Sequence, residues 1–146
     1  MLIAVDHSEN AERAVMYAAR MVGNHPEIAV TILNAIRSPE EDAERDPKAR
    51  SLILEERRQK GQALVSGLAG LLADAGLPKE RIRTKVAVFT APQTAADVIL
   101  KEKHEGGYLT VVVGRRGVSR KEEFMFGSVS ARVMRESGPQ AVWVVS

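Results

Sequence analysis

Residues 111 to 128 read VVVGRRGVSRKEEFMFGS, an apolar run that enters Gly114, passes two residues to Gly117 and nine more to Gly127-Ser128. A strand, a glycine turn and the start of a helix are written here in order. Because no Cβ intervenes, an anion can come close to the peptide N–H groups of glycines, which also accept positive φ. The third glycine stands where the helix should begin, and helix N-termini offer unpaired N–H groups and positive partial charge. A glycine pair after a strand is by itself ordinary turn chemistry. With Gly127-Ser128 at the head of a helix, the segment is better read as a phosphate cradle.

Outward from this stretch the chain alternates strand and helix. Leu2 to Val5 is a short apolar run ended by Asp6, and Ser8 can cap a helix with Ala11, Ala14, Val15, Ala18, Met21 and Val22 on one face. Ile28 to Ile36 is continuous in apolar character and rich in β-branched residues, as expected of a strand covered on both faces. Arg37 to Arg50 is charged, carries Pro39 and Pro47, and reads as a connection. A long helix is expected from near Lys48 to Ala75, with Leu64, Val65, Leu68, Leu71, Leu72 and Ala75 as its stripe and Gly76 as its stop. Ile82 to Phe89 is the third strand. Thr90 can cap the next helix with Pro92 in its first turn and Ala95, Val98 and Ile99 buried, before Gly106-Gly107 ends it. Leu109 to Val113, a helix from Gly127 to about Arg135, and a last strand Ala141 to Val145 complete a βαβαβαβαβ order.

Strands that alternate with helices pair in parallel through right-handed crossovers, which predicts a doubly wound α/β sandwich. At 146 residues, 45% of them hydrophobic, a single domain over residues 1–146 with a sizeable core is expected. No apolar run reaches the roughly eighteen residues of a membrane helix, and no export signal is evident, so a soluble cytoplasmic protein is the expectation. The absence of cysteine excludes disulfides, thiolate chemistry and Cys-type zinc sites. With 21 basic against 19 acidic residues, nothing indicates a nucleic-acid surface.

The Gly114-x2-Gly117-x9-Gly127-Ser128 pattern after an apolar strand, together with IAVDHSENAERAVMYAARM at the other end, resembles the universal stress protein family along nearly the whole chain. The resemblance implies a five-stranded sheet of order 3-2-1-4-5, akin to the adenine nucleotide alpha hydrolases. That order sets the ends of the first and fourth strands side by side at a topological switch point, where open α/β sheets take ligands. It implies an ATP site, with ADP or AMP as alternatives and Mg²⁺ carried in by the phosphates. Asp6 would line the adenosine pocket by accepting from ribose or the adenine amino group. From the residues alone, Asp6 equally suits a turn ahead of a helix. Val5 would give main-chain contacts, and Val30 aligns with a family position whose backbone meets the adenine edge. Val113 would wall the base or sugar, Gly114 and Gly117 would approach ribose and phosphates, and Gly127, Ser128 and Val129 would bind the phosphate chain. On this view Gly114→Val blocks the ligand and spares the fold. Arg115, where many relatives carry a small hydroxyl residue, either reaches the phosphates, or extends into solvent or hinders the contact that the small residue makes. Arg116, Arg120 and Lys121 add charge to the same loop.

Other constellations carry less. His7, His25 and His104 are too scattered for a metal site, and Asp42, Glu44 and Asp46 lack the spacing of a calcium loop. Ser8, Ser128 and Ser130 have no evident triad partners. No GxGxxG follows the first strand, and the SGGxDS loop of pyrophosphatase-like relatives is replaced by VDHSEN. The resulting expectation is an ATP-binding regulatory module of the stress response, at most a slow ATPase with no catalytic residue to name. The alternative is a nucleotide-free interaction protein of the same fold. Ala141 to Val145, apolar and at a sheet edge, is the expected homodimer seam, and a further protein partner is left unidentified.

Overall fold

The first strand, β1 (Leu2–Val5), is buried at every position, as only a strand with a neighbour on each edge and a helical layer on each face can be. The computed structural model describes residues 1–25, 27–40, 44–115 and 128–146. Around β1 lie β2 (Val30–Arg37), β3 (Ile82–Phe89), β4 (Thr110–Gly114) and β5 (Ala141–Val145), all parallel, in the order β3-β2-β1-β4-β5. The connecting helices are α1 (Glu9–Val22), α2 (Pro47–Asp74), α3 (Ala95–Glu105) and α4 (Ser128–Glu136). Among the described residues no helix is long and apolar enough to cross a membrane.

Alternation along each strand sends residues to two cores. Ile3, Val5, Ile32 and Val112 pack with Ala14, Val15 and Ala18 of α1 and with Val65, Leu68 and Leu72 of α2. Leu2, Ala4, Leu33, Val111 and Val113 pack with Ala96 and Ile99 of α3 and Val133 of α4. The helices begin at the carboxyl edge of the sheet, since each runs back against the strands. In α1, Ser8 Oγ accepts from the Ala11 N–H at 3.3 Å. Its inner face consists largely of alanines, which let the helix lie close; Ala19 is buried, whereas Met21 is half exposed. In α2, Asp46 accepts from the Lys48 N–H at 2.9 Å and Pro47 fills the first turn. The side chain of Arg57 donates to the carbonyl of Arg37 at the end of β2, so the turns before it stand beyond the sheet. Gly61, Val65, Leu68 and Leu72 are buried, and Gly76, at φ 99°, ends the run.

Four sequence readings shift. β2 starts at Val30 rather than Ile28, and β4 at Thr110, with Leu109 78% exposed. The cap of α3 is Thr94, not Thr90. A reciprocal capping box with Asp97 satisfies two end donors at once, and Thr90 and Pro92 are left in the turn before it. That places Ala96, not Ala95, in the core.

Asp97 has a second role. Arg132 of α4 grips its carboxylate with both terminal nitrogens, at 2.6 and 3.1 Å. The hydroxyl of Thr94 first, then Arg132 and the Thr94 N–H, hold the Asp97 carboxyl down at about 2 from an ordinary 3.8. A carboxyl depressed by folding stabilises the fold above its ordinary pKa, and that contribution fades as pH falls toward the folded value. Asp97→Asn should therefore be less stable than wild type at neutral pH, and the gap should close between about pH 4 and about pH 2. Urea midpoints across that window test this, and a gap that stays constant would show that Asp97 does not titrate there.

Candidate functional site

The strand order brings β1 and β4 together with Ala4 opposite Val113, so both chains leave the sheet side by side at its carboxyl edge. At this junction Val5 is buried and Asp6 half-buried. Asp6 Oδ1 accepts from the N–H of Ser8 at 3.1 Å and from its hydroxyl at 2.5 Å. Asp6 thus organises the turn whose Ser8 caps α1, while its carboxylate stands at the crevice.

Gly114 ends β4 opposite Val145. A Cβ added there would lie 3.0 Å from the carbonyl carbon and oxygen of Asn10 and 3.1 Å from its Cβ. The glycine lets the first turn of α1 pack against β4, so Gly114→Val, expected to spare the fold, would have to displace the Asn10 backbone. The next residue, Arg115, donates its N–H to Val145 O at 2.6 Å and accepts at its carbonyl from Ser130 Oγ at 2.9 Å. Its main chain therefore ties β4 to β5 and to the first turn of α4. Ser128, the first residue of that turn, is exposed; Val129 packs on the α3/α4 core; Ser130 is buried. Gly117 and Gly127, with Arg116, Arg120 and Lys121, lie outside the described residues, as does Asp42.

Val30 is not brought to this edge. It sits at the amino end of β2, 1% exposed and in register with Ile82. The β2 residue level with Val5 is Asn34, four positions on, or roughly 13 Å at the rise of a strand. Val30 belongs to the α1/α2 core.

Asn34 itself was missed. Its Nδ2 donates to the carbonyl of Val5 at 2.8 Å, in the interior, and so fixes the peptide that leads into Asp6. Its Oδ1 is buried and has no hydrogen-bond partner among the described residues. A Cβ on Gly61 would fall 2.7 Å from that oxygen, which accounts for a glycine inside α2. The signal lay in the sequence: an Asn within VTILNAIR is out of place in a buried strand unless its amide has work to do.

Elsewhere the polar residues have local roles. Glu44 accepts from the Asp46 N–H and Asp46 caps α2, so these two acids serve a helix start. His25 lies 3.3 Å from Glu27 at the surface, and no metal-holding cluster occurs among the described residues. A cavity of 170 Å³ between β3 and α3, lined in part by Lys85, Asp97, Lys101 and Glu102, is too small for a nucleotide and lies on the far side of β2 from the junction.

These features define an open parallel α/β protein with a crevice at the switch point between β1 and β4. The chain belongs to the universal stress protein family, whose model matches residues 1–146. Among solved structures, the universal stress protein UspA from Lactobacillus plantarum superposes with a TM-score of 0.83 at 18% identity, over 99% of this chain and 95% of that one. A universal stress protein in complex with cAMP gives 0.72 at 21% identity, over 99% and 94%. One from Archaeoglobus fulgidus in complex with dAMP gives 0.61 at 18% identity, over 99% and 95%. At these identities the likeness is one of fold. No curated protein matches the chain.

The contact at Gly114 yields a direct expectation. Gly114→Ala forces a methyl against the Asn10 backbone and should cost about 1–3 kcal/mol of unfolding free energy, as overpacking does. Urea denaturation measures it, and an unchanged midpoint would show that the first turn of α1 gives way freely.

Proposed function

We propose that this chain binds an adenine nucleotide, ATP or its ADP and AMP forms, at the β1/β4 junction and acts as a nucleotide-dependent regulatory module of the cytoplasmic stress response. The observation that carries this reading is the convergence of Asp6 and the first turn of α4 on one end of the sheet. Asp6 and the main chain at Val5 serve the nucleoside. Val113, Gly114, Gly117 and the head of α4 at Gly127, Ser128 and Val129 serve sugar and phosphates, whose charge suits a helix N-terminus. Mg²⁺ enters with the phosphates. The family relatives with bound cAMP and dAMP support the nucleotide class. Hydrolysis is at most slow, since Asp6, the carboxylate of the site, serves the nucleoside and not the terminal phosphate, where a general base would have to act.

Two observations favour a second reading, a nucleotide-free interaction protein. The bonds of Asp6 to Ser8 and the packing of Gly114 on Asn10 explain both residues without a ligand. The two readings part on one experiment. Protein purified without added nucleotide is denatured, released small molecules are identified by mass spectrometry, and the emptied protein is titrated with ATP·Mg²⁺ by calorimetry. Saturable binding that weakens in Asp6→Ala supports the first; no released nucleotide and no heat at millimolar ATP establishes the second.

The proposed assembly is a homodimer through β5. This edge strand is only half covered on its faces, and Trp143 meets Tyr17 of α1 edge to face at 5.8 Å, beside an exposed Met21. An apolar edge of this kind invites a second strand. Trp143→Glu should shift the protein to monomer in sedimentation velocity. A dimer of unchanged affinity would place the seam elsewhere.

A further inference from the structure

The helix that faces the phosphates in the reading above has a weak apolar hold on the fold. Of the nine residues of α4 only Ser130 and Val133 are buried. Where a helix buries so little, polar ties decide how it lies. At its head Ser130 bonds the Arg115 carbonyl, and just past its end Lys103 of α3, itself buried, donates to the carbonyl of Ser137. The tie with the most hydrogen bonds is in the middle. Arg132 places Nη2 on Asp97 Oδ1 at 2.6 Å, Nη1 on Asp97 Oδ2 at 3.1 Å and on Thr94 Oγ1 at 3.0 Å, and Nε on Glu136. Asp97 Oδ2 also accepts from the N–H and hydroxyl of Thr94, at 2.8 and 2.7 Å. One carboxylate thus caps α3 and holds α4, through a planar fork that fixes orientation as well as distance.

On the nucleotide reading, we infer that Arg132 is a positioning residue: its fork on Asp97 locks α4 to the start of α3 and so aims the first turn of α4 at the phosphates of the bound nucleotide. Direct recognition of phosphate by Arg132 is the competing role. Two carboxylates already engage this guanidinium, which leaves it little charge to offer a ligand.

The test compares ATP·Mg²⁺ with adenosine, which lacks phosphates, by calorimetry on wild type, Arg132→Met, Arg132→Lys and Asp97→Asn. Arg132→Met should weaken ATP by about three- to tenfold, the range of a helix-end interaction, and leave adenosine unchanged. Arg132→Lys keeps the charge without the fork and should recover only part of the loss. Asp97→Asn should weaken ATP as well, whereas a phosphate-binding Arg132 freed from Asp97 would hold ATP as tightly or more so. Equal losses for both ligands, no loss, or tighter ATP in Asp97→Asn would each overturn the inference. If Arg132→Met fails to fold by circular dichroism, the lysine and asparagine variants decide on the same ratio. Wild type that binds neither ligand would remove the nucleotide reading itself, before any variant is compared.

Discussion

Everything in this fold hangs on the enclosure of β1. Its four residues are buried, its two edges are taken by β2 and β4, and its faces are covered by two different helical layers. A strand so enclosed has no water to satisfy its peptide groups, so its neighbours must be in register. The same enclosure creates the crevice. The helices that follow β1 and β4 lie on opposite faces of the sheet, so the two chains part at its carboxyl end, and the gap they leave is bounded by the residues just after β1 and β4.

The two layers are held by different physics. On the α1/α2 side the grip is apolar and close, with alanines of α1 against the sheet and with Gly114 and Gly61 making room where backbone or amide would collide. On the α3/α4 side the second helix buries little and is steered by Asp97, Arg132, Lys103 and Ser130. Charged hydrogen bonds between half-exposed groups contribute less stability than core contacts do, but they are directional. On the proposed nucleotide reading, the layer that presents amides to the phosphates is the one held this way.

How much of this was legible follows from what each signal encodes. The apolar runs and glycine stops encode local structure, so every strand and helix fell close to its place, and the family resemblance supplied the strand order that periodicity lacks. Thr90 and Thr94 offer the same cap chemistry, and only the reciprocal Asp97 chooses between them. Val30 lies in the right strand at the wrong end, because position along a buried strand depends on register across the sheet. Gly114 stood out as a glycine, yet the atoms that demand it belong to Asn10, over a hundred residues earlier in the chain. Arg132 was silent for the same reason, since Asp97 lies on another element, whereas Asn34 was visibly out of place in its strand but gave no sign of its partner.

The length of α2 has a further consequence. Gly61 lies against Asn34, three residues short of the end of β2, so at about 1.5 Å per residue the first turns of the helix, from Pro47, extend roughly 10 Å past the carboxyl edge. They stand on the α1 side of the sheet, on the same rim as the junction between β1 and β4. The carboxyl edge of the sheet is therefore uneven, raised where α2 overhangs the end of β2.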